Sequence, residues 1–439
     1  MLVQDDGGTA NGGDDTSLTQ TFTITVNSVN DEPDFTAANP ATVLEDAGAQ
    51  TVAGWVTAFD PGPANESGQG VLGYTVGNLS NAALFSVAPS VASNGTLTYT
   101  PAANASGSST FEVVVQDDGG TANGGDDTSA IQTFTITVTA VNDEPSFTAT
   151  NPAASNEDGG AQTVSAWASF NAGPNEGSQS VLSYTVSGIS NPGLFSTPPA
   201  VATDGTLSYT AAADEFGSST FDVLVQDDGG TANGGDDTSL TQTFTITVNS
   251  VNDEPDFTAA NPATVLEDAG AQTVAGWVTA FDPGPANESG QGVLGYTVGN
   301  LSNAALFSVA PSVASNGTLT YTPAANASGS STFEVVVQDD GGTANGGDDT
   351  SATQTFTITV TAVNDEPSFT ATNPAASNED GGAQTVSAWA SFNAGPNEGS
   401  QSVLSYTVSN VSNPGSVQHT ACGGDRRYLE LHRGSGRVW

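Results

Sequence analysis

In the stretch TFTITVTA at 133 to 140, Phe134, Ile136 and Val138 alternate with threonines, so every second side chain is apolar. That period of two predicts a strand with one buried and one wet face. The same alternation predicts strands at Phe111 to Val115, Leu97 to Tyr99 and Leu72 to Val76, a longer one at Val52 to Phe59, and a short one at Phe85 to Val87. Phe35 to Leu44 reads as an irregular first strand broken by Pro40, which cannot donate to a ladder. Turn clusters separate these elements, among them SNGT at 93 to 96 and PAANASG at 101 to 107. No window carries helical periodicity between caps.

The set recurs. VNDEP begins at Val29, Val141, Val251 and Val363, with spacings of 112, 110 and 112 residues, so two repeat types alternate. Residues 2–130 are identical to 224–352, which points to recent duplication, with an assembly error as the alternative. Whole repeats are expected at 29–140, 141–250 and 251–362, after the last strands of another at 1–28 and before the first three strands of a further one at 363–415. Met1 falls at the place of Val223, inside a strand pattern, so the natural start is expected upstream. Seven strands in a unit of roughly 111 residues, large enough for its own core, predict an all-β chain of tandem immunoglobulin-like β-sandwich repeats arranged as beads on a string.

Residues 416–439 break the pattern. All four Arg, both His (His419 and His432) and the only Cys, Cys422, lie in this stretch. Reading plausible codons for Leu194 to Ala200 one base out of phase yields Val417 to Cys422, and the same shift turns Ala213 to Gly217 into Gly436 to Trp439. A frameshift near Gly415 is therefore expected, the tail is assigned no function, and the last unit is expected to lack its fourth to seventh strands and to stay loose.

Charge narrows the partners. Asp and Glu number 48 against 4 Lys and Arg, a net charge of -44 that repels nucleic acid and anionic membrane and favours cations. One Cys excludes an internal disulfide, and no apolar run reaches the length of a membrane span. Outside the tail there is no His, Lys, Arg or Cys, so a serine nucleophile has no base and a phosphate no cationic cradle. No enzymatic activity is expected.

The linkers VNDEPDF at 29–35 and VNDEPSF at 141–147 resemble the inter-domain calcium motif of cadherins, DxNDNxPxF, and the cadherin-like or VCBS-type tandem repeats of large bacterial adhesins. The likeness extends to an early acidic pair, Glu45 and Asp46, an Asp60-Pro61-Gly62 loop and a QDDGG segment. It departs where Ser28 or Ala140 replaces the first Asp and where Glu32 or Glu144 replaces the second Asn. The resemblance implies calcium at the junctions, an extracellular location on a bacterial cell surface, and a role in adhesion.

Topology alone gathers acids at the junctions, because two loops of each sandwich face the next unit and two face the previous one. Between the second and third repeats the outgoing side offers Glu157, Asp158, Asp214 and Glu215, the linker Asn252, Asp253 and Glu254, and the incoming side Asp282, Asn287, Asp339 and Asp340. Equivalent candidates elsewhere are Asn30, Asp31, Glu32, Asp60, Asn65, Asp117 and Asp118 at the first linker. Glu45, Asp46, Asn142, Asp143, Glu144, Asp227 and Asp228 serve the next, and Glu267, Asp268, Asn364, Asp365 and Glu366 the last. Calcium takes about 6–8 oxygen ligands, and carboxylates with amide carbonyls supply them. The bland alternative is a set of solvated acids that keep the surface soluble.

Two further features have double readings. The loop DDGGTANGGDD at 117–127 could wrap an ion by itself, form a flexible acidic tip, or lend Asp117 and Asp118 to the junction. Trp55, Trp167, Trp277 and Trp389 recur at one place per repeat, as a core residue between sheets or as a sugar platform. The leading expectation is a calcium-stabilised stalk that projects a terminal domain towards a surface protein or glycan; repeats that themselves bind carbohydrate or protein, and a passive acidic spacer, are the alternatives.

Overall fold

The computed structural model describes residues 1–378, 381–412, 418–419 and 428–432. Among these residues there is no α-helix, only strands and 3-10 turns of three residues. Cys422 and most of the tail lie outside them.

The three whole repeats build the same sandwich, and the middle one is representative. Its strands are β1 (Ser146–Thr148), β2 (Ser155–Asn156), β3 (Ala161–Val164), β4 (Ser169–Asn171), β5 (Val181–Ser187), β6 (Phe195–Val201), β7 (Leu207–Ala211), β8 (Gly217–Asp227) and β9 (Gln242–Asn249). One sheet has the order β2-β9-β8-β5 and the other β3-β7-β6, with β1 and β4 as a separate pair. All pairings are antiparallel except β2 with β9.

Nine segments appear where seven strands were expected, for two local reasons. The first strand divides around Pro152, and its halves join different partners, β1 with β4 and β2 with β9. The second divides just before the tryptophan, at a residue of left-handed backbone, Ala166 at φ +51° here and Gly54 at φ +64° in the first repeat. That bend leaves β3 on the sheet of β7 and returns β4 to β1. It also seats the indole: Trp167 is 7% exposed, its Nε1 donates to the Thr150 carbonyl at 2.6 Å, and its ring meets Phe244 edge-on at 4.7 Å. Trp55 and Trp277 are equally enclosed, so these rings are core residues rather than an exposed platform.

The alternation read from the sequence becomes the core. Phe221, Val223 and Val225 of β8 are fully buried, and Phe244, Ile246 and Val248 of β9 face the same interior, against Leu207 and Tyr209 of β7. Burial of each such side chain contributes about 1.5–3 kcal/mol. The core clusters of the three repeats share no residue.

The partial units behave differently. Phe22, Ile24 and Val26 match Phe244, Ile246 and Val248 in sequence, yet they are exposed and unpaired, because no opposing sheet covers them. At the other end, where a unit without its later strands is expected, two short tail segments take strand positions. Tyr428–His432 pairs antiparallel with Gln384–Ser387, and Gln418–His419 pairs with Tyr428–His432, the places that β7 and β6 hold in the middle repeat. Backbone pairing tolerates any sequence with strand periodicity, which YLELH has. Phe369, equivalent to the buried Phe147, nevertheless stays 59% exposed.

Because the cores are separate, Phe221→Ala should cost about 3–5 kcal/mol in residues 141–250 alone. Calorimetry of the whole chain should then show one transition moving to lower temperature while the rest stay in place. A uniform shift of the entire melt would show that the units unfold as one.

Candidate metal centre

The junction between the second and third repeats is built from both sides of the linker. From the outgoing side, Glu157 follows β2 and is 1% exposed; its Oε1 accepts the Val251 amide proton at 2.7 Å. From the incoming side comes Glu288, 3% exposed, at the end of the 3-10 turn Ala286–Glu288. Its Oε1 accepts from the Asp253 amide at 2.8 Å. Two buried glutamates thus hold successive parts of one linker.

The carboxylates gather between them. Asp158, Asp214 and Asp253 each place an oxygen within 4.8 Å of the others. Asp158 and Asp214 both have left-handed backbone, at φ +57°, a conformation that short polar residues adopt at low cost. Asn287 reaches across the junction, its Nδ2 3.4 Å from both oxygens of Glu157. Asn156 donates to the Asn345 carbonyl at 3.0 Å, and Asn345 donates to Ser250, so the tip of the third repeat's acidic loop rests on the second repeat.

Among the described residues no positive side chain balances this group, and no Lys or Arg precedes Arg426. Burial raises the Asp253 carboxyl above its ordinary value, and Asp158 and Asp214 add to the shift. Burial likewise raises Glu288, with Asp253 and Asp339 as repelling neighbours, and raises Glu157 despite the bond from Val251. Glu288 Oε2 and Asp253 Oδ2 are buried without any hydrogen-bond partner. A side chain at Gly284 would strike Glu288 Oε2 and crowd the Cβ of Asp253, so the glycine keeps this corner clear. Orphaned buried anionic oxygens beside three further carboxylates suit a hard divalent cation and suit neither a neutral ligand nor an anion.

The remaining sequence candidates take other places. Asn252 fills the acidic loop of its own repeat, donating to Asp339 at 3.1 Å and to the Asp348 carbonyl at 2.8 Å. Asn30 and Asn142 do the same with Asp117 and Asp227. A side chain at Gly229 or Gly235 would collide with Asn142, so the loop's glycines make room for this plug. The loop at 117–127 closes around Asn30, with Asp126 giving its carbonyl. Asp118, Asp228 and Asp340 tie that loop to its neighbour by accepting from Gly70, Ser180 and Gly292. Asp60 and Asp282 close tight turns on Gly62 and Gly284.

Glu32, Glu215 and Glu254 are exposed, as is Asn65, and Glu144 turns back to accept from Leu240. Asp31 is held through its amide by Glu66. At the junctions on either side, Glu45 and Glu267 bind the amides of Val141 and Val363, Asp46 and Asp268 accept from Asn104 and Asn326, and Asp143 and Asp365 donate their amides to Glu176 and Glu398. Asn364 contacts the Asp365 carbonyl and Glu366 is exposed. Glu66, Glu176, Glu288 and Glu398 escaped the sequence reading. The signal was present, an acid directly after the loop asparagine in every unit.

No family model matches the chain, and no curated protein matches it significantly. Solved structures similar to it include mouse cadherin-23 EC22-24, at 17% identity and TM-score 0.41 over 76% of this chain and all of that one. Human CDH23 EC21-23 aligns at 15% identity and TM-score 0.44 over 74% of this chain and 99% of that one. Mouse protocadherin-24 EC1-3 aligns at 16% and 0.38 over 78% and 100%. The assignment of tandem all-β sandwiches rests on the sheet orders and cores of the chain itself.

The raised carboxyls give a signed pH prediction. An acid whose folded pKa lies above its unfolded one lowers stability as pH rises through that interval. In metal-free solution, Glu288→Gln should remove one such penalty, so its melting temperature should exceed that of the parent increasingly as pH climbs above the ordinary glutamate value of 4.5. Exposed acids held low, such as Asp237 through Gln226, act in the opposite sense and cancel in this comparison. A difference independent of pH would show that Glu288 carries no strained charge.

Proposed function

We propose that this chain is the repeat region of a calcium-stabilised extracellular stalk or adhesin, related to the cadherin-like repeats of bacterial surface proteins that its linkers resemble. The observation that carries the reading is the meeting of Asp158, Asp214 and Asp253 beside the buried Glu157 and Glu288, with no cationic side chain among the described residues to neutralise them. Two carboxylates about 4 Å apart repel by roughly 4 kcal/mol at an effective dielectric of 20. A divalent ion reverses the sign of that interaction and gives the junction a reason to hold one geometry.

Glu157, Asp158, Asp214, Asp253 and Glu288 would hold the ion, which supplies positive charge and orders oxygen ligands. The chain's own residues do the rest. Glu157 and Glu288 fix the linker amides, Asn252 locks the linker into the third repeat, and Asn287 and Asn345 bridge to the second. Sites of this kind fill at the roughly 10⁻⁴ to 10⁻³ M calcium affinities of extracellular modules. Inside a stalk, the consequence is mechanical: beads on loose tethers become a rod that carries a terminal binding domain away from the cell.

Millimolar calcium should raise the melting temperature of the whole chain and lengthen it in solution scattering, relative to chelator at matched ionic strength. Identical melting and identical dimensions in the two buffers would leave an acidic spacer as the better description.

A further inference from the structure

Resting on the calcium reading, the alternation of repeat types extends to the junctions. The position of Asp214 is Asn104 in the first repeat and Asn326 in the third, all three with left-handed backbone at φ +54° to +57°. The middle junction therefore presents three convergent carboxylates, while the flanking ones present Asp46 with Asp143 and Asp268 with Asp365, and a neutral amide in the third place. The aspartates also differ in freedom. Asp46 and Asp268 already accept the backbone amides of Asn104 and Asn326, both at 3.0 Å.

A second difference lies beside the first. Asn156, which bonds to the incoming Asn345, is replaced by Leu44 and Leu266, whose side chains cannot donate. Each of these three junctions has one asparagine bridge between its sandwiches, Asn175 to the Asn104 carbonyl, Asn287 to Glu157 and Asn397 to the Asn326 carbonyl. The middle junction adds one more charge for a cation and the two bonds from Asn156 to Asn345 and from Asn345 to Ser250. All three also keep buried oxygens that lack a partner, Oε2 of Glu176, Glu288 and Glu398 and Oδ2 of Asp143, Asp253 and Asp365, with Glu288 only 3% exposed. The junctions thus share a demand for a ligand and differ in the third carboxylate.

We infer that the array contains two classes of junction, a strong one after each even-type repeat and a weaker one after each odd-type repeat. Between the two affinities it is a chain of rigid pairs, 141–250 locked to 251–362, hinged at the linkers near Val141 and Val363. Calcium concentration then sets stiffness in two steps rather than one.

Calorimetric titration of the metal-free full chain with calcium chloride tests this. The parent should show two classes of site. Asp214→Asn, which keeps the residue type that Asn104 and Asn326 already show at this φ, should lose the tighter class, with its affinity falling about tenfold or more. Asn104→Asp should enlarge the tighter class at the expense of the weaker. An isotherm of one class that Asp214→Asn leaves unchanged would overturn the alternation while the calcium reading stands. Absence of any saturable heat in the parent would overturn both.

Discussion

The junction between the second and third repeats is constrained by carboxylates that fold together with no positive side chain near them among the described residues. Burial of Glu157 and Glu288 is favoured locally, because each satisfies a linker amide that would otherwise lose its water. The same burial raises the free energy of their ionised forms and brings the three aspartates into mutual repulsion. Anything that offsets that charge stabilises the geometry. No Lys or Arg precedes Arg426, so residues 1–425 supply no such group.

The repeats also separate what a strand owes to its own sequence from what it owes to its partners. Residues 2–26 and 224–248 are identical, yet Phe22 is 67% exposed and Phe244 is 6% exposed. The difference is the presence of β5, β7 and the rest of a sandwich. Residues 403–409, identical to β5, likewise form no strand without a copy of β8 beside them. Alternation supplies the capacity for a strand, while cross-strand pairs and burial turn it into one. The tail shows the converse, since Tyr428–His432 fills an edge left open by Gln384–Ser387.

Much of the architecture was legible because its determinants are local. Period-two runs marked β5 to β9, and Pro40 marked the break in the first strand. The second break was hidden, since a left-handed Ala166 gives no signal in composition. At the junctions, the sequence pointed to the loops and the excess of acids but not to their division of labour. VNDEP contains an Asn whose amide group plugs the acidic loop and an Asp that faces the carboxylate group, adjacent residues that a strand-like linker points in different directions. Glu288 was overlooked because an acid beside an already chosen Asn looked redundant, although burial makes it one of the most constrained charges in the junction. Exposed acids and buried acids are the same letters in a sequence, and only packing distinguishes them.

The most direct test is amide hydrogen exchange at Val251 and Asp253, the two linker N–H groups that the buried glutamates hold. Calcium at constant ionic strength should slow exchange at both sites strongly, while amides inside β8 and β9 remain protected with or without it. Equal exchange at Val251 and Asp253 in calcium and in chelator would contradict the account, because the glutamates would then hold the linker without any ion to balance their charge.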